Sequence, residues 1–274
     1  FAGIDAPPYQ SGQIDVRSRS ISKRGSASLR RTLFLVMGVL IFVVLAVCSF
    51  FFVAPPADFT APAAKGGGRA VRPAAADCTP GQMLKKPSFW LYYVWAIALS
   101  AAGLALISQA SGMVWEASAG QTAAAVATIV GLISICNALG RVLFGGMYDK
   151  YGRSLSMQLV NVLFIATAAI LLFALTSRSV TVVILGFIVG GLAYSGVTPT
   201  NSAFCRAYFG PAHYPVNFPL INSNLIFASF GSTISGALFD ASGSYNSTFF
   251  LIIGLAAAGI VCSLAISVLD KKQK

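Results

Sequence analysis

Residues 249–269 read FFLIIGLAAAGIVCSLAISVL, a run without one charged side chain. A helix needs about 20 mostly apolar residues to cross a hydrocarbon core roughly 30 Å thick. This run is long enough. Six others of similar length precede it: Leu33–Ala54, Phe89–Ser111, Ala123–Leu143, Leu155–Thr176, Val180–Ala203 and Phe218–Phe239. Membrane β-strands would show about ten residues of alternating polarity, whereas these runs are continuous and rich in Leu, Ile, Ala, Gly and Phe. The expected fold is all-α, a polytopic membrane helix bundle.

Composition supports the same class. Charged residues make up 10% of the 274 and hydrophobic ones 56%, against roughly 25% charged in a soluble domain. Such a chain cannot clothe a water-facing surface. The net charge of +11 points to membrane topology instead of nucleic acid, because no basic patch interleaved with aromatics occurs. The five cysteines form no CxxC or Cys/His ligand set, and His213 has no metal partner nearby in sequence. No cofactor is expected.

Cations concentrate in alternate loops. Residues 54–88 hold Lys65, Arg69, Arg72, Lys85 and Lys86; residues 147–154 hold Lys150 and Arg153; Arg206 precedes the sixth span, and Lys271, Lys272 and Lys274 end the chain. The intervening loops carry Arg178 alone. The positive-inside rule then puts the linker and the C-terminus in the cytoplasm of a multi-pass cell-membrane protein. The first segment opposes this: Arg17, Arg19, Lys23, Arg24, Arg30 and Arg31 fall on the outer side. The expected organisation is a basic, irregular segment at 1–32, a span at 33–54, a Pro/Gly/Ala-rich connector at 55–88, six spans over 89–270 and a tail at 271–274.

The sharpest motif is Gly145-Gly146-Met147-Tyr148-Asp149-Lys150-Tyr151-Gly152-Arg153. It fits G-x-x-x-D-[RK]-x-G-[RK] and resembles the loop signature of the major facilitator superfamily. Gly103–Ser111, Val130–Arg141, Gly191–Tyr194, Tyr208–Gly210 and Ser235–Tyr245 follow in order and resemble the oxalate/formate antiporter family within it. The resemblance covers 89–270 well, Arg31–Pro56 loosely and residues 1–30 not at all. It implies that the spans correspond to helices six to twelve of a twelve-helix transporter, so that residues 89–270 form the C-terminal half, preceded by one helix. A missing N-terminal half would be its partner. Gly145, Asp149, Lys150, Gly152 and Arg153 are expected as a gating loop.

Arg141 is the most informative residue. A charge deep in a bilayer costs roughly 2.5–3.5 kcal/mol on insertion scales and usually faces a cavity. Ser134, Asn137 and Arg141 recur at helical spacing and share a face, and a guanidinium fork suits carboxylates. The resemblance implies an arginine at this place in carboxylate transporters. An Arg that snorkels to the interface remains the alternative. Gln109, Tyr194 and Asn224 complete the expected substrate set, with Thr198 and Asn217 as further polar candidates, each alternatively a helix–helix hydrogen bond. Pro199 and Pro219 are expected kink points, and Gly186 and Gly190 a close helix contact. Family members that handle oxalate carry a second cation, a Lys on helix eleven. No Lys or Arg occurs here between Arg206 and Lys271, which favours a singly charged anion.

The sequence therefore predicts a secondary transporter of small organic anions (oxalate, formate or monocarboxylates) working by alternating access. An alternative is a non-transporting half-transporter remnant or membrane interaction subunit, decided by whether upstream coding sequence supplies five more spans. Enzyme motifs such as HExxH and GxSxG are missing from the sequence.

Overall fold

The computed structural model describes residues 31–51, 77–118 and 120–272. The basic segment through residue 30, the connector over 55–76 and Lys274 lie outside the described residues. The chain divides into two compact units, residues 1–64 and 65–274.

In the first unit the described element is helix α1, Arg31–Ser49. Its apolar side chains are exposed all round, including Phe34, Leu35, Phe42 and Leu45. A helix apolar on every face is stable only in an apolar medium.

The second unit is a bundle of six spans, helical wherever it has regular structure among the described residues. A short helix α2 (Pro80–Leu84) leads in, capped reciprocally by Thr79 and Gln82, so the end of the expected connector is folded. Helix α3 (Pro87–Ala117) starts with Pro at its first turn, where the missing N–H costs no bond. Then follow α4 (Ala123–Tyr151) and α5 (Arg153–Thr176). The fourth span is α6 (Val180–Ser195) with α7 (Val197–Phe209), and the fifth is α8 (Tyr214–Asn222), α9 (Asn224–Ala228) and α10 (Phe230–Ser242). Helix α11 (Asn246–Lys272) closes the bundle. With α1, seven described helices are long and apolar enough to cross a membrane.

Several helices outrun the apolar runs that signal them. Helix α4 continues past Leu143 to Tyr151, and α5 begins at Arg153. The expected gating loop is therefore a correction: Gly145, Asp149 and Lys150 are helical, Arg153 is the first residue of α5, and only Gly152 turns the chain. Its φ of +79° is a conformation that a side chain resists and glycine adopts freely.

The breaks within spans also differ from the proline expectation. Pro199 lies in the first turn of α7, where it interrupts nothing; the break is at Gly196. Pro219 lies inside α8, which ends three residues later. Further breaks fall at Ser223 and Ser229. Their hydroxyls donate to Leu220 O (2.7 Å) and Ile226 O (2.6 Å), local bonds that compete with the helical ladder.

Helix α3 is the centre of the unit, packed against α11, α10, α9 and α6. Glycines bring backbones together there. A Cβ at Gly231 would lie 2.5 Å from Ala101 O, and one at Gly191 would lie 2.6 Å from Ile133 O. Gly186 packs on Leu171 and Gly190 on Leu106 and Thr167, the close approach that their spacing suggests. Helices α4 and α8–α10 are the least buried, with Ile135, Leu139, Val142, Ile226 and Phe230 exposed.

Candidate functional site

Arg141 sits on α4 about 15 Å along the axis from its last residue, Tyr151, at 1.5 Å per residue. It is exposed within the unit, and its charge reaches the Tyr194 hydroxyl on α6. Tyr194 is half-buried and lays its ring against Gly103 of α3. Tyr194 thus joins α6 to α3.

Ser134 is exposed on the same α4 face. Asn137, between them, is half-buried, and its Oδ1 is buried with no hydrogen-bond partner among the described residues. An orphaned acceptor costs about 1–3 kcal/mol unless a donor reaches it. Gln109 of α3 is half-buried, with Nε2 near Gly236 of α10.

Asn224 departs from the expected set. It is fully buried, accepting at Oδ1 from Ser100 Oγ (3.2 Å) and donating from Nδ2 to Ile221 O (2.8 Å). Its Oδ1 joins α9 to α3, and its Nδ2 caps back onto α8, so both ends of the amide are used. Asn217 is likewise buried and donates to Cys78 O at 2.9 Å. Polarity marked these asparagines in the sequence; packing, and not an open face, is where they went. Thr198 is exposed at the start of α7.

The second constellation was not foreseen. Arg153 is buried and fans out to two other helices, α7 and α11. Nη2 donates to Asp270 Oδ2 (3.0 Å) and Ser267 Oγ (3.0 Å), Nη1 to Ser263 O (3.4 Å), and Nε to the Tyr208 hydroxyl (2.9 Å). Tyr208 in turn donates to Asp270 Oδ2 at 2.6 Å. Its ring stacks on Phe204 at 4.1 Å, and Phe204 stacks on Tyr92 of α3 at 3.7 Å. This array ties the start of α5 to the ends of α7 and α11. The available signal was Asp270, an acid closing an apolar helix, which needs a partner. Asp149 and Lys150 stay exposed, Lys150 lying over the Tyr151 ring at 5.2 Å.

The ends of α4, α7 and α11 and the starts of α3, α5 and α8 share one membrane face, since Cys78 N also bonds Phe209 O. Lys85, Lys86, Lys150, Arg153, Arg206, Lys271 and Lys272 gather there, and Arg178 lies at the opposite face.

The family model of the Major Facilitator Superfamily matches residues 26–223 and again 96–274. A shorter match, to the Transposase IS116/IS110/IS902 family, covers residues 1–44 and assigns no family. No curated protein matches the chain.

Proposed function

Because this chain belongs to the major facilitator superfamily, a family of membrane transporters, we propose that it moves small organic anions by alternating access, with Arg141 as the anion contact. Carboxylates are the favoured class. The carrying observation is the position of Arg141 within a membrane-spanning helix, on the α4 face it shares with Ser134 and Asn137. The opposing reading is an arginine that snorkels to the interface, and loss of anion exchange on its substitution separates the two. The Arg141 guanidinium offers two parallel donors to a carboxylate, Tyr194 and Ser134 offer hydroxyls, and the Asn137 side chain lies on the same face with its Oδ1 buried behind them. Gln109 is a further candidate on α3. The single cation of this face favours a monocarboxylate over oxalate, while the ordered motif resemblance favours a relative of the oxalate/formate antiporters.

The sparsely buried α4 and α8–α10 form one wall of the substrate path in this reading, and a complementary half of the transporter forms the other, the two rocking about a midplane site. Arg153 and Asp270 hold the shared face, which the cation bias assigns to the cytoplasm, together with the C-terminus.

Exchange of labelled solutes by the full-length protein in liposomes tests the class. Formate or a larger monocarboxylate should exchange and compete with one another, with oxalate weaker. Uptake of a neutral or cationic solute, indifferent to carboxylates, would overturn it.

A further inference from the structure

The start of α3 and the end of α11 flank an open apolar groove of about 740 Å³ lined by Lys85, Pro87, Trp90, Leu91, Ala265, Val268 and Leu269. We propose that this groove is a binding site for an anionic phospholipid, its acyl chain against the apolar walls and its phosphate at Lys85 and Lys272.

The walls come first. Among the lining residues only Lys85 is charged, and Trp90 and Val268 remain 53% exposed. Ala265, Val268, Leu269 and Lys272 follow at i, i+3, i+4 and i+7, a single stripe of α11. The stripe runs from apolar groove to cation in one helical turn. Lys85 faces it from the α2–α3 junction, where Trp90 Nε1 donates to Leu84 O at 2.9 Å and fixes the indole at the groove's rim. Trp and Lys in this order mark the boundary between hydrocarbon and headgroups.

Charge selects the occupant. The acid of the same turn, Asp270, is bound to Arg153 on the bundle's inner side, so it does not cancel Lys271 and Lys272, which are exposed. Lys86 is engaged elsewhere, with Cys78 Sγ at 3.0 Å and over the Phe209 ring. A soluble phosphate would meet the ammonium groups and leave the apolar walls unused. A zwitterionic lipid would use the walls but bring no net negative charge. An anionic phospholipid satisfies both, through charge-assisted contacts to its phosphate in a basic pocket between membrane helices.

Native mass spectrometry of the protein extracted from its membrane tests this, titrating phosphatidylglycerol against phosphatidylcholine. Each basic residue at an anionic surface is worth about a fivefold change in affinity, so two lysines predict about 25-fold preference for phosphatidylglycerol. Lys85→Gln with Lys272→Gln should abolish that preference and leave phosphatidylcholine binding unchanged, while Arg206→Gln on the same face should change it by no more than about twofold. If the double variant does not fold, brominated lipids read the unsubstituted protein. Brominated phosphatidylglycerol should then quench Trp90 emission, identified by its loss in Trp90→Phe, more than brominated phosphatidylcholine does. Equal retention or equal quenching by the two lipids, full preference in a folded double variant, or a second copy of the chain in place of lipid would each overturn the proposal.

Discussion

Arg153 at the first residue of α5 and Asp270 near the end of α11 form a 3.0 Å ion pair, with side chains only 8% and 22% exposed. Breaking a buried pair strands a charge at a cost of about 3–5 kcal/mol. Arg153→Gln and Asp270→Asn are each expected to lower the melting temperature in detergent clearly. Arg153→Met with Asp270→Leu should recover much of the loss, since no charge is then left unpaired. A double variant as unstable as the sum of the singles would contradict the pairing.

Helix α10 reaches α3 through Gly231, whose missing Cβ would press on Ala101 backbone. Backbone cannot rotate aside, so Gly231→Ala is expected to cost about 1–3 kcal/mol. Gly131 of α4 has no atom within 4 Å of its Cβ position. There the same change should be neutral or gain up to about 1 kcal/mol from helix propensity. Thermal melting of both variants checks the contrast.

Tyr245 lies between α10 and α11, its hydroxyl against Gly112 and its ring stacked 4.3 Å from Phe239. Burial, with the Glu116 carboxylate adding to it, raises its phenol above the ordinary tyrosine range. The fold holds the neutral form. Its contribution to stability is therefore complete below about pH 10, the unfolded value, and is lost as pH rises through the higher folded one. Tyr245→Phe should flatten the alkaline part of the melting-temperature profile, and an unchanged profile would count against this placement.

The bundle was legible because the bilayer imposes a length on apolar runs, and the runs at 89–111 or 249–269 announce themselves. Helix ends were not, because residues such as Asp149 and Lys150 extend a helix into water at little cost and carry no hydropathy signal. The motif around Gly152 was visible as a turn, yet its Arg153 finds Asp270 across 117 positions, a separation that no local pattern encodes. Arg141 stood out as a lone charge in an apolar run. Asn224 stood out equally, and only the neighbouring Ser100 and Ile221 mark it as a packing contact.

That distinction is itself testable. Asn224→Ala leaves Ser100 without its acceptor and should cost about 1–3 kcal/mol. The surviving folded protein should keep its KM for the transported anion. A raised KM at unchanged stability would return Asn224 to the substrate path.

The most direct measurement is carboxylate exchange by the full-length protein in liposomes with Arg141→Gln and Arg141→Lys beside the unsubstituted form. Loss of a charge-assisted contact at the substrate should lower exchange by at least about a hundredfold in Arg141→Gln, with partial activity in Arg141→Lys and melting temperatures unchanged in both. Exchange by Arg141→Gln at the unsubstituted rate would mean that Arg141 meets no anion, and the assignment of substrate class would fall with it.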